Sequence, residues 1–233
     1  MSKPRGLHQR WLWGFTLVYG LYVLLPWLAP VLMRQGWVTP ARWIYSAYAL
    51  VCHQLPQRSY FLFGSQWMYS LEEIQAAYRS TTHPLVLRQF VGTPQMGWKV
   101  AWSDRMVSMY TTILVAVWVW WPQRHRWKPW PLWVVVLLML PLAVDGSTHL
   151  LSDAWYGLGQ GFRYTNDWLV RLTGGAFPDT FYRGDGLGSF NWWVRLISGV
   201  LFGIAMVGWI FPLWEDAAAS SAAAKATRPE PHA

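Results

Sequence analysis

Four segments of this sequence carry side chains able to do chemistry. The stretch VCHQLPQRSYFLFG, residues 51–64, sets the only cysteine, Cys52, beside His53, with Arg58 close behind. Asp104 and Arg105 are adjacent, and Arg163, Asn166 and Asp167 fall together further on. Asp145 and His149 stand four apart, so on a continuous helix they share a face. Aspartate and histidine at that spacing suit an acid–base pair or part of a metal site. Cys52, His53, Asp145 and His149 together could hold a divalent metal, with His83 a weaker candidate. The competing reading is structural and carries more weight. Asp145 would pair with Arg105 or Arg163 and pin helices together, and His149 would join the same network. Cys52 would be an inert buried thiol, and Arg58 would bind backbone carbonyls, a phosphate or a substrate anion. A single cysteine excludes an internal disulfide and any CxxC zinc site.

These residues must be positioned by the segments around them, and those segments read as membrane helices. Of the 233 residues, 54% are hydrophobic and 13% charged, against a usual quarter charged, and twenty are tryptophan. Tryptophan concentrates where membrane meets water. The net charge of +8 raises nucleic acid as a partner, but the basic residues lie scattered between apolar runs and form no basic face, which argues against it. A crossing of about 30 Å needs about 20 residues. Four stretches qualify, at about 11–33, 101–121, 130–151 and 191–214, with Pro26 and Pro30 expected to kink the first. The first run is too long for a signal-peptide core and is expected to remain. Gly199 and Gly203 form a GxxxG, a weak sign of close helix packing, internal or with a partner.

The expected fold is therefore an all-α integral membrane helical bundle, residues 11–214, between an N-terminal tail (1–10) and a disordered C-terminal tail (215–233). Lys3, Arg5 and Arg10 before the first helix, and Arg124, Arg126 and Lys128 between the second and third, put both termini in the cytoplasm. The two long connections then lie outside, and the ionisable residues named above meet at the outer face. A fifth crossing through 41–63 would bury His53, Gln54, Gln57 and Arg58 at mid-membrane, at several kcal/mol. An interfacial segment at about 41–51 is the better expectation. Short helices are expected at about 71–79, where Ser70 and Glu73 form a capping box, near Pro84–Gly92, and at about 165–173, capped by Thr165 or Asn166 and ended by Gly174.

The chain also resembles a family of uncharacterised bacterial membrane proteins, a domain of unknown function marked by CHQxPxRS. The resemblance covers about 45–210. It rests on CHQLPQRSYFLFG, on FVGTPQMGWKVAWSDRMVSMY (90–110) and on AVDGSTHLLSD with FRYTNDWLVRLTGG (143–175). It implies a polytopic protein of the bacterial inner membrane and implies no activity. The family pattern often has cysteine at the position of Ser103, an acid at Met106 and glutamine at His149, which weakens any cysteine-pair chemistry here. The role expected is an accessory or structural subunit, in contact with lipid and packing with membrane partners. The alternatives are a metal-dependent membrane enzyme and a small proton-coupled transporter using Asp145 and His149.

Overall fold

The computed structural model describes residues 5–226; Lys3 and residues 227–233 of the expected tails lie outside them. The apolar runs form long helices because, where the solvent is lipid, every backbone N–H and C=O has to be satisfied within the segment. In chain order the elements begin with α1 (Arg5–Arg34) and α2 (Val38–Tyr48). A 3-10 turn, Pro56–Arg58, leads into β1 (Ser59–Leu62). Next come α3 (Leu71–Ala77), α4 (Pro84–Leu87), β2 (Gly92–Thr93) and β3 (Gly97–Ser103). Then follow α5 (Asp104–Trp120) and α6 (Leu132–Tyr156). The one-turn α7 (Phe162–Thr165), α8 (Asp167–Thr173) and α9 (Asp179–Tyr182) precede α10 (Phe190–Ala226).

Among the described residues, three helices are long and apolar enough to cross a membrane: α1 over Trp11–Arg34, α6, and α10 over Phe190–Ala217. The fourth expected crossing differs. It was placed at 101–121, but α5 has 17 residues, about 25 Å at 1.5 Å per residue. Residues 101–103 belong instead to β3. Hence the all-α expectation needs correcting: a three-stranded antiparallel sheet, ordered β1-β3-β2, stands before α5. Ser59 pairs Ser103 and Phe61 pairs Lys99, with a bulge between them. Both faces of β3 are buried, so it lacks the polar alternation that marks a strand in sequence. The tail also differs. The helix α10 runs on through 215–226, where alanine, the strongest helix former, dominates.

The helix α5 packs along α10, α6 packs on α10, and α1 covers β3 and α2. GxxxG serves the first of these contacts. A Cβ on Gly199 would strike the Ser108 hydroxyl, and one on Gly203 would lie 2.7 Å from the Thr112 Cβ. The motif is thus used inside the chain. The outer faces of α1 and α6 remain apolar: Leu17, Val18 and Leu24, and Trp133, Leu137 and Leu140, are exposed. Apolar side chains all round are what a helix in lipid carries.

At the end where α5 and α6 connect, the fastening is aromatic. Trp11 meets Trp121 at 5.4 Å and Phe211 at 6.1 Å, and Trp120 meets Phe211 at 5.7 Å. Arg124 lies 4.0 Å over the Trp121 ring and 3.8 Å from Glu215. At the other end the starts of α5 and α10 meet the last turns of α6, and there the charged residues gather.

Candidate functional site

The CHQLPQRS stretch is built residue by residue. Cys52 ends the turn after α2, its N–H bonded to the Tyr48 carbonyl. The thiol accepts from the N–H groups of Gln54 (3.4 Å) and Ser103 (3.5 Å) and donates to the Ser103 hydroxyl (3.7 Å). Gln54 takes a left-handed backbone, φ 50°, which turns the chain. Its amide donates to the Tyr45 carbonyl, and its own carbonyl accepts from the Lys99 ammonium at 2.9 Å. Lys99 is fully buried and also donates to the Arg88 carbonyl at 2.7 Å. Desolvation pushes its pKa down to about 7. Ser59 donates to the Leu55 carbonyl and closes the turn. The stretch ties α2, α4 and β3 together.

His53 and Arg58 point the other way. The His53 Nδ1 accepts the Leu55 N–H at 3.2 Å, so a neutral ring carries its proton on Nε2. Part of the residue is exposed, yet desolvation of the ring, and then the charges of Arg58, Arg105 and Arg195, push its pKa down to about 3. Accepting a backbone N–H has the same sense, since a protonated ring has no lone pair to offer. Arg58 grips the Asp153 carboxylate with both terminal nitrogens (2.9 and 3.3 Å) and donates its Nε to Asp185 at 2.7 Å.

From Asp185 the network continues. The Arg195 Nη1 donates to Asp185 at 2.7 Å, and its Nε donates to both oxygens of Asp104, at 3.0 and 2.8 Å. Arg105 and Arg163 each donate to Asp145. His149 links the halves: its Nδ1 lies 3.1 Å from Asp145 and its Nε2 3.6 Å from Asp185. Four arginines thus meet four aspartates, so the network is balanced in charge and almost wholly buried. Desolvation opposes the charge on Asp185, but Arg58 and Arg195 prevail and hold its carboxyl well below the usual range.

Of the residues singled out from sequence, Arg58, Asp104, Arg105, Asp145, His149 and Arg163 come together. Asn166 sits one layer behind. Its amide and that of Asn191 both donate to the Arg163 carbonyl, fixing the backbone that aims Arg163. Asp167 is exposed at the start of α8 and stands outside the network. Cys52 turns toward Ser103 and makes no bond to the charge network. The metal set therefore does not assemble: among the described residues, no three of His, Cys, Asp or Glu are spaced to hold an ion. Cys52, His53, Asp145 and His149 do not fit a shared metal. Sequence reading missed Asp153, Asp185 and Arg195 as members of the site. Arg195 had a signal, a lone arginine in an otherwise apolar helix; at 2% exposure it is the hub joining α5 to the 185 loop.

Beside this network lies a cleft of about 740 Å³. Its charged floor holds Arg58, Asp104, Arg105, Asp153 and Arg195, with His53 and His149 at its edge. Leu55, Pro84, Leu150, Ala154 and Leu158 make apolar walls. Gly146, Leu150 and Ala154 recur every fourth residue on α6, and Leu150 is 70% exposed on the helix surface. Arg105 is the least engaged cation. Its Nη2 holds Asp145, while its Nε is buried without a partner among the described residues. The His149 Nε2, 3.6 Å from Asp185, likewise lacks a full hydrogen bond among the described residues. This floor can hydrogen-bond a polar group while the walls cover an apolar one.

The chain is 25% identical to the uncharacterised protein MJ1492 of Methanocaldococcus jannaschii over 140 residues, 57% of this chain and 68% of the relative. No solved structure matches it significantly. Residues 94–209 match the family described as predicted membrane protein (DUF2085). The Cys52–Ser59 stretch lies outside that match. The matched segment carries every member of the charge network except Arg58, and it is by this segment that the chain is similar to that family of predicted membrane proteins.

Proposed function

We propose that this is a non-catalytic membrane protein that holds an anion-bearing amphiphile in the cleft at the start of α10. One observation carries the reading: a charged floor lies beneath apolar walls that continue, through Leu150, onto the lipid-facing surface of α6. Three arginines line the cleft beside two aspartates, with Asp145 and Asp185 balancing them from behind, so an anionic head is favoured by N–H donors rather than by net charge. Free N–H groups on Arg105 and the His53 Nε2–H supply donors. Below Asp145 the helix seam is apolar, through Ile113, Val117 and Val207, which favours holding a ligand over conducting a proton. In this reading α5 is a short fourth crossing, entered from β3. The cleft faces outward and both termini face the cytoplasm, as the positive charges at 124–128 support. The exposed apolar face of α6 is left for lipid or a membrane-protein partner, consistent with an accessory role in a cell membrane.

The test is lipid retention by the full chain. Protein exchanged out of mixed phosphatidylglycerol and phosphatidylcholine bilayers is weighed by native mass spectrometry. The wild type is expected to retain phosphatidylglycerol preferentially, and Leu150→Asp, at an exposed position, to lose that preference while staying folded. Displacement by inorganic phosphate assigns recognition to the head group. Equal retention of both lipids would overturn the proposal, and phosphate binding without lipid preference would make the ligand a soluble anion.

A further inference from the structure

A second cleft, of about 560 Å³, opens among the connections on the far side of Arg58. Asp185 lines it and is held from behind by Arg58 and Arg195, so the ion pairs stand between the two clefts. Gln57 lines it as well. That side chain is 3% exposed, and neither its amide nitrogen nor its oxygen has a partner among the described residues. An unpaired amide in a buried site pays its desolvation without return, which gives it a reason to be occupied. Its neighbour Arg58 is fully engaged, and the 3-10 turn Pro56–Arg58 fixes the direction of both.

We infer that this cleft binds a neutral, hydroxyl-rich ligand of the saccharide class. A primary amide presents a carbonyl acceptor beside two N–H donors, and neighbouring hydroxyls of a polyol both donate and accept at that spacing. The walls add hydroxyls from Ser70, Tyr164 and Thr180. Trp67, 59% exposed, offers a flat apolar ring against which a sugar face can lie. Charge selects against anions: the lining holds Glu73, Asp179 and Asp185 against Arg183. Glu73 is engaged by the Ser70 N–H and the Gln66 amide, and Asp185 by its two arginines. That leaves Asp179 offset by Arg183 in the same lining. The first cleft, by contrast, carries an excess of arginine and no buried neutral amide. The two sites thus differ in ligand class, and this one stands independently of the anion reading.

The test uses the full chain in nanodiscs, because maltoside detergents would themselves occupy the site. Saturation-transfer NMR is recorded with maltose and with myo-inositol as probes. Transfer to one of them is expected in the wild type. Gln57→Leu keeps the side chain's bulk and removes both unpaired atoms; it is expected to fold at least as stably and to weaken binding about tenfold or more, the ratio that one lost hydrogen-bond pair gives. Should that variant fail to fold, Trp67→Ala at the exposed rim is read the same way. No transfer to either probe in the wild type, or equal transfer in the wild type and the folded variant, would overturn the inference and leave Gln57 satisfied by buried water.

Discussion

The two ends of this helical bundle are fastened by different chemistry. At the end holding the turn from α5 to α6, tryptophan and phenylalanine from α1, α5 and α10 pack edge to face, and the charged groups there lie at the rim. At the opposite end α5, α6, α10 and the connections meet through four arginines and four aspartates, with Asp104, Asp145, Asp185 and Arg195 almost wholly buried. In lipid, moving an apolar side chain from bilayer to bundle gains little, so the aromatic end is held by shape and dispersion. The charged end has no such latitude. Each carboxylate is tolerable only because a guanidinium sits on it, so the geometry is over-determined, and that rigidity is what keeps a polar-floored cleft open beside the lipid.

The largest effect is expected from Arg195→Met. It leaves Asp104 without its cation and Asp185 with Arg58 alone. Removing one member of a buried pair costs on the order of 3–5 kcal/mol. Denaturant unfolding in detergent should show this as a large fall in midpoint, and a wild-type midpoint would break the contrast between the ends. Trp120→Ala should cost less than the ~3–5 kcal/mol of a buried tryptophan truncation in water, since in lipid only packing is lost and no charge is stranded. Cys52→Ala should cost about 1 kcal/mol: the thiol lies near the charged end but its bonds go to Ser103 and Gln54. A larger loss there would make Cys52 part of the network.

Acid should act on the charged end, where two groups set the sign. His53 has a folded pKa of about 3 against an ordinary value near 6.5, so the unfolded chain takes the proton first. Stability then falls as pH drops from about 6.5 toward 3. Asp185, held well below the carboxylate range, loses its contribution as pH falls through its folded value, in the same direction. Midpoints measured across that range should decline, and His53→Asn should flatten the upper part of the decline. An unchanged slope in that variant would show that His53 is not a neutral member of the site.

How legible the structure was in the sequence depends on range. The three long crossings, the capping box at Ser70 and Glu73, and the Gly174 terminator were readable because each is a local pattern. Asp145 and His149 were readable as a pair because four residues bring them to one helix face. Asp167 was grouped with the site by its neighbours in sequence, yet α8 turns it outward. Residues 101–103, the end of the strand Gly97–Ser103, read as the start of a helix because both faces of that strand are buried. Arg195 was passed over because its meaning lies in Asp104, 91 positions away, and in the 185 loop. Long-range compensation leaves no periodic trace, only an arginine where apolar residues are expected.

The most direct test of the paired network is a double-mutant cycle on Arg195 and Asp104, read as unfolding free energy in one detergent. Arg195→Met strands a buried carboxylate, and Asp104→Asn removes the charge that makes this costly. If the charged end is a compensated network, the double variant should be more stable than the sum of the two losses predicts, by more than about 1 kcal/mol. Losses that add to within about 0.5 kcal/mol would mean that the two side chains act independently, and would contradict the account.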